Sequence, residues 1–371
     1  MRCGIAANVE ACLDSAWRTM QISLLSKLRG FGIKPQAFDA EVSQTGELSG
    51  VRRRFASPIT FTPYAAASPC SARCVFCSEQ LQHREGNILA SSLRPAPSYF
   101  ENLRQVLRAL RGLSLGLSLS GLECTDEPKW FMQLLDALAE HEQAGFPFAP
   151  KVLYSNGAGL ARETSGHQLL PHVSRFGLSR IEMSRHHFAE RENDAIMRFH
   201  PGRPIRAQRC FESTVADVLG VVPVRLVCVT QIGGIATFDA MAAYLRWARS
   251  LGVRDVVFRE LARVGDLYRD NPTLRAIQSS RVTMETLVDE VWAHIGNGGA
   301  VVPKAARYGY YYWGVELEWE RDMRVTLESS DYTLMKAQHR SDTVRKLVLH
   351  PNGNLCGDWD PDSQLLLAGM S

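Results

Sequence analysis

Nowhere do about 18 apolar residues follow one another, so no segment has the length to cross a bilayer as a helix. The opening, MRCGIAANVEACLDSAW, lacks the basic start and long apolar stretch of an export signal. Charge of one sign is scarce too. The 42 Lys and Arg against 39 Asp and Glu leave a formal +3, which argues against nucleic acid as a dedicated partner. The one basic run, Arg52-Arg53-Arg54, reads as a solvated turn rather than a phosphate track. There is no low-complexity tract and no internal repeat of fixed period. Nor do the cysteines form an even disulfide set: the nine, at 3, 12, 70, 74, 77, 124, 210, 228 and 356, predict reduced thiols. These absences predict a globular protein of the cytoplasm without a membrane partner.

What is present is an alternation. Its 371 residues suit two ordinary domains or one large α/β barrel with an appendage. Residues 1–54 read as an N-terminal helical extension, with apolar spacing across Trp17, Ile22, Leu25 and Leu28. A loop ends at Pro58, and ITFTP then reads as a short strand. LGLSLSG, KVLYSNG, RIEMSR, VPVRLVCVT and DVVFREL follow as further strands, each trailed by helical text. Six such units predict a parallel sheet with right-handed crossovers, buried on both faces and hence nearly continuously apolar. The expected class is α/β, a partial (β/α)6 TIM-like barrel over residues 55–280. Residues 281–371 read as one helix followed by antiparallel hairpins, with Asn352-Gly353 as a turn. That segment is expected to close the bottom or mouth of the incomplete barrel. Its Tyr308, Tyr310, Tyr311, Tyr312, Trp313, Trp319 and Trp359 are read mainly as hairpin packing partners.

The stretch SPCSARCVFCSEQ places Cys70, Cys74 and Cys77 within eight positions. A cubane [4Fe–4S] cluster takes four thiolates, one for each iron. Three leave one iron open to an outside ligand, as a catalytic zinc keeps one open position. A structural zinc site, with His83 as fourth ligand in C-x3-C-x2-C-x5-H, is the alternative. Position favours the cluster, because the loop follows the first strand of the series, where barrel enzymes place their chemistry. The C-x3-C-x2-C spacing, with the aromatic Phe76 before its last cysteine, resembles the signature of the radical SAM superfamily. That resemblance spans roughly residues 55–265. It implies a [4Fe–4S] cluster on Cys70, Cys74 and Cys77, and S-adenosylmethionine bound by its amino and carboxylate groups to the open iron. It also implies reductive cleavage to methionine and a 5′-deoxyadenosyl radical.

Other strand ends fit the same resemblance. SGLECTDEP looks like the family's Gly-Gly-Glu motif with Leu122 in the second place, so that Gly121 and Glu123 would meet the methionine ammonium. An acid before a helix starting at Pro128 is the plainer reading of Glu123. Ser155 and Asn156 match contacts to ribose or substrate, although Asn156-Gly157 also reads as a turn. Ser184 and Arg185 resemble ribose and carboxylate contacts, while Glu182 shares a face with Ser184 and needs a partner inside the barrel. Thr230 to Gly234, with Ile232, would cradle the adenine. Arg259 and Glu260 stand at the sixth strand end as catalytic or substrate residues, or as an internal ion pair.

The layout most resembles the branch containing MoaA and the SPASM-type maturases. Those relatives carry further cysteine clusters, whereas Cys210, Cys228 and Cys356 are isolated here and read as small buried hydrophobes. The function expected is hydrogen abstraction from a small-molecule or peptide substrate, with one electron from a flavodoxin or ferredoxin. A radical SAM modifier of RNA and a zinc-stabilised binding module without catalysis are the alternatives.

Overall fold

The structure is a computed structural model that describes residues 22–37, 43–64, 66–84, 89–295, 301–339, 341–361 and 363–370. Trp17 lies outside the described residues. Helix α1 (Ile22–Gly30) and the short strand β1 (Gln36–Ala37) come first. Strand, not helix, follows: β2 (Ser43–Leu48) folds back on β3 (Val51–Pro63). The turn between them, Ser49-Gly50, has positive φ at both residues (52° and 74°), the geometry that suits a two-residue hairpin. Strand β3 therefore runs across the boundary read at residue 54 and takes in both Arg52-Arg53-Arg54 and ITFTP.

From β3 onward the expected alternation is present. It runs α2 (Tyr99–Ala109), β4 (Leu115–Leu119), α3 (Pro128–Gln143), β5 (Phe148–Ser155), α4 (Gly166–Phe176) and β6 (Arg180–Ser184). Then come α5 (Glu190–Met197), α6 (Gln208–Leu219), β7 (Val224–Thr230), α7 (Phe238–Ser250) and β8 (Asp255–Glu260). Strands β3 to β8 pair in sequence order, all parallel. Ile59, Leu117, Leu153, Ile181, Met183, Leu226 and Phe258 join the helix residues Leu103, Leu134, Leu138, Val173, Phe211 and Leu245 in one buried cluster. Alternation along each strand sends the intervening residues, among them Tyr154, Glu182, Ser184, Arg225 and Arg259, to the opposite face.

The C-terminal part contains the expected antiparallel hairpins and adds parallel pairing to the core. Helices α8 (Pro272–Ser280) and α9 (Met284–His294) precede β9 (Val301–Tyr308), β10 (Tyr312–Trp319) and β11 (Met323–Ser330), an antiparallel meander. Its last strand joins the core parallel to β8, pairing Arg324 with Asp255 and Glu328 with Arg259. After α10 (Tyr332–His339), β12 (Thr343–Leu349) pairs parallel with the other edge of the core, on β3. Only the short β13 (Leu355–Cys356) and β14 (Leu365–Leu367) complete antiparallel pairs there. Six parallel strands thus become eight, in the order β11-β8-β7-β6-β5-β4-β3-β12, and the sheet remains open.

Its ends nevertheless meet through side chains. Lys346 Nζ of β12 lies 5.4 Å from the ring of Tyr311, and Arg345 Cζ lies 5.3 Å from that of Tyr310. These contacts join β12 at one edge of the sheet to the β9–β10 turn beyond the other, so the open sheet is curved. Among the described residues no helix is long and apolar enough to cross a membrane.

Candidate cofactor site at the carboxyl ends of the strands

The cysteine loop leaves β3 at its carboxyl end and is fastened by backbone hydrogen bonds from Arg73 N to Met197 O (3.1 Å) and Val75 N to Ile196 O (3.0 Å). Ser71 N donates to Asp126 Oδ2 at 2.6 Å, which ties the loop to the end of β4. Burial pushes the Cys74 and Cys77 thiols up to about 12 and raises that of Cys70 as well. Thiols in such a setting become thiolates only when a cationic centre takes the place of the protons. That is the chemistry of a thiolate metal site. Among the described residues no three His, Cys, Asp or Glu side chains gather round one point as a single ion needs. His83 instead packs on Tyr268, ring centroids 4.6 Å apart. The three thiols lie on one short loop, and the His83 ring is engaged with Tyr268.

Next to the loop stands Glu123, 2% exposed. Its Oε1 accepts Thr125 N (3.2 Å), Thr125 Oγ1 (2.6 Å) and Ser155 Oγ (2.8 Å), and its Oε2 accepts Asn156 N (2.5 Å). Oε1 is saturated, whereas Oε2 keeps a lone pair. Burial, followed by the charge of Asp126, pushes this carboxyl up to about 7. Asn156 Nδ2 reaches Ser71 Oγ at 3.0 Å and Cys70 Sγ at 3.7 Å. One hydrogen-bonded network thus joins Cys70, Glu123, Ser155 and Asn156.

Gly121 serves that network through its shape. It has φ +92°, and a Cβ there would stand 2.8 Å from the ring of Tyr64. Leu122 holds φ 51°, the left-handed conformation a glycine adopts freely, so the backbone course survives the substitution. Thr125 also belongs to this network. Its hydroxyl donates to Glu123 and accepts Gly159 N (3.1 Å), yet a lone threonine in a loop carries no sequence signal.

Phe76 meets the edge of His186 with ring centroids 4.9 Å apart. His186 Nδ1 accepts Val229 N at 3.0 Å, and burial lowers its pKa to about 3, so it is neutral with its proton on Nε2. Ser184 stays half-buried on the inner face beside Glu182. Its neighbour does not. Arg185 is fully buried on the helix side, with its guanidinium 4.8 Å from the Phe211 ring and bonded to Gln208. Burial lowers its pKa to about 10.

Arg259 and Glu260 are divided in the same way. Arg259 enters the barrel, where its Nε donates to Glu328 Oε1 at 2.5 Å. Glu260 turns outward to Arg281 and accepts Met284 N at 3.1 Å, at the start of α9. Neither Arg185 nor Glu260 faces the cofactor side, because adjacent strand residues point to opposite faces. Thr230 is buried, and its hydroxyl donates to Arg259 O at 3.4 Å. Ile232 is 63% exposed beyond the strand end, and its amide is taken by Ser280 O. Two residues unmarked in the sequence also reach this side. Glu79 accepts the Tyr64 hydroxyl at 3.1 Å. Burial raises the Tyr332 phenol while its hydrogen bond to Ser78, next to Cys77, works against that.

No protein-family model and no curated protein matches this chain. Solved structures do. SuiB of Streptococcus suis bound to its precursor peptide SuiA is similar at 12% identity and TM-score 0.47, over 90% of this chain and 62% of SuiB. SuiB bound to S-adenosylmethionine is similar at 13% identity and TM-score 0.48, over 82% of this chain and 61% of that one. Coproporphyrinogen III oxidase (HemN) from Escherichia coli, a radical SAM enzyme, is similar at 13% identity and TM-score 0.41, over 70% and 66% of the two chains. This chain spans about three fifths of the length of SuiB. Likenesses this distant assign no role to any residue, and the site's own geometry must do so.

Proposed function

We propose that this protein is a radical SAM enzyme of the cytoplasm, in which Cys70, Cys74 and Cys77 hold a [4Fe–4S] cluster with one iron left for S-adenosylmethionine. The observation that carries this reading is the network joining the loop thiol Cys70, through Asn156, to the buried carboxylate Glu123 at the mouth of a parallel sheet. The cluster would supply the electron that splits S-adenosylmethionine into methionine and a 5′-deoxyadenosyl radical, which takes hydrogen from a small-molecule or peptide substrate.

This chain's residues bind and orient. Glu123 offers Oε2 to the methionine ammonium, a charge-assisted contact, while Ser155, Thr125 and the Asn156 amide fix its direction. Gly121 allows Tyr64 to pack beneath that strand end. Phe76, braced by His186, keeps the thiols in register, Ser184 stands in reach of a ribose, and the exposed side chain of Ile232 offers an apolar face to the adenine. Arg259, with Tyr154, Tyr311 and Tyr332, lines the substrate side. A flavodoxin or ferredoxin would deliver the electron.

Anaerobic reconstitution with iron and sulfide tests the reading. The expected protein is brown, holds about four irons per chain, and forms 5′-deoxyadenosine from S-adenosylmethionine under dithionite. A colourless protein that keeps one zinc and forms none would falsify it.

A further inference from the structure

A chain of aromatic rings leads away from the cysteine loop. Phe76 of that loop and Tyr332 at the start of α10 pack against the same buried cluster, which includes Leu81, Val229 and Val264. The Tyr332 ring centroid lies 6.5 Å from that of Tyr311, which in turn lies 4.7 Å from that of Tyr310. Both steps fall in the range of direct aromatic contact. Tyr332 and Tyr311 are half-buried, whereas Tyr310 is 6% exposed.

The last ring meets a base. Tyr310 Oη lies 3.4 Å from His339 Nε2, and His339 Nδ1 lies 3.0 Å from Oδ2 of the buried Asp358. A ring proton on Nδ1, facing that carboxylate, leaves the Nε2 lone pair to the phenol. The carboxylate then stabilises the imidazolium that forms when Nε2 takes up a proton. Other buried phenols have poorer acceptors: Tyr99 donates to Tyr64 O and Tyr244 to Arg185 O, both backbone carbonyls. Cations also lie over the chain, Lys346 Nζ above the Tyr311 ring and Arg345 Cζ above that of Tyr310. Positive charge so near opposes a phenol radical cation, so a tyrosine here gives up an electron only together with its proton. Tyr310, set against an imidazole, meets that requirement.

We propose that Tyr310 is a redox-active tyrosine, reached through Tyr332 and Tyr311, that gives up an electron while its phenolic proton passes to His339. The inference rests on the proposed radical SAM reading, which supplies the oxidising carbon radical. That radical takes a hydrogen atom from the Tyr332 phenol and becomes a C–H bond. An electron from Tyr310 crosses by way of Tyr311, and a solvent proton restores the half-buried Tyr332. Tyr310 is left as a neutral radical beside an imidazolium. One electron from the flavodoxin or ferredoxin, with the proton returned by His339, resets it.

Flash-quench photo-oxidation of the full-length protein, with a ruthenium tris-bipyridine sensitiser and persulfate, tests the tyrosine without any cluster. Electron paramagnetic resonance should find a long-lived tyrosyl radical, and a ring-fluorinated tyrosine placed at position 310 should add fluorine splitting to it. Tyr310→Phe should remove that signal, and His339→Asn should cut it about tenfold or more, whereas Tyr99→Phe should leave it unchanged. The reconstituted holoenzyme, given S-adenosylmethionine and dithionite in deuterated water without substrate, supplies a second readout. There the 5′-deoxyadenosyl radical itself takes the Tyr332 hydrogen, which exchanges with solvent. The 5′-deoxyadenosine should therefore carry one deuterium, and Tyr332→Phe should lower that fraction several-fold. A radical whose spectrum ignores the label at position 310, or one carried by Tyr64, which donates to Glu79 at 3.1 Å, would overturn the inference. Deuterium uptake unchanged by Tyr332→Phe would do the same. A preparation that cleaves S-adenosylmethionine but fails these tests refutes this inference alone, whereas one that forms no 5′-deoxyadenosine refutes the reading beneath it.

Discussion

Each cysteine of the loop would be the sole protein ligand of one iron, so Ala at position 70, 74 or 77 should abolish cluster assembly. Cys210, Cys228 and Cys356 direct their thiols to Glu163, His186 O and Pro361 O, contacts within the fold. Ala at those positions should leave the iron content unchanged, as iron and sulfide assays would show. Glu123→Gln removes the charge while keeping the shape. Affinity for S-adenosylmethionine should fall by roughly tenfold to a hundredfold, about 1.5–3 kcal/mol, with the cluster retained. Unchanged affinity in equilibrium dialysis would release Glu123 from that role. Gly121→Ala should be costlier to the fold. Its Cβ would stand 2.8 Å from Tyr64 at φ +92°, so the melting transition should drop by the equivalent of about 1–3 kcal/mol.

The strands of the core were readable because a parallel strand covered by helices is apolar along its length, as LGLSL and VRLVCVT show. What stood at their ends was half readable. Ser184 and Arg185, and likewise Arg259 and Glu260, read in the sequence as pairs, yet the two-residue period of a strand sends one of each to the helices. The parallel partners of β11 and β12 had no local mark. Strand β12 pairs with β3 across nearly the whole chain, whereas the Asn352-Gly353 turn suggested only a hairpin. Helix α10 escaped for the same reason, being short and set among strand-like text. It matters to the closure. Lys336 and His339 of α10 reach Asp358 Oδ2 at 3.4 and 3.0 Å, and Asp358 is buried. Burial alone would raise that carboxyl, but the His339 hydrogen bond and the nearby cations hold it well below the usual range. An acid held low in the folded state adds stability above its unfolded pKa of about 3.9 and loses it as pH falls below that value. Asp358→Asn should therefore cost about 3–5 kcal/mol near neutral pH. In urea melts the gap to the parent should narrow as pH drops below about 4. A gap independent of pH would mean that the carboxylate charge does not contribute.

The last quarter of the chain extends the open sheet at both edges, and this decides how it can be divided. Strand β11 covers the edge of β8 from Asp255 to Arg259, and β12 covers β3 from Arg54 to Pro63. Between them, Lys346 bridges Tyr311 and Trp359, 5.4 and 5.5 Å from the two rings. The cysteines, Glu123 and Asn156 all precede residue 281, so the thiol network is complete without that part. Its stability is another matter. A chain ending at Ser280 would bare two long parallel edges at once, and unpaired edges of this length recruit other copies. The expected product is aggregated, or soluble only as oligomers by light scattering. Supplying residues 281–371 as a second chain in the same cells should restore a soluble complex, because β11 and β12 dock on edges that the core already forms. Cluster content should return with solubility. A monomeric, well-folded chain ending at Ser280 would show instead that the six core strands protect their own edges, and that β11 and β12 contribute only to the substrate side.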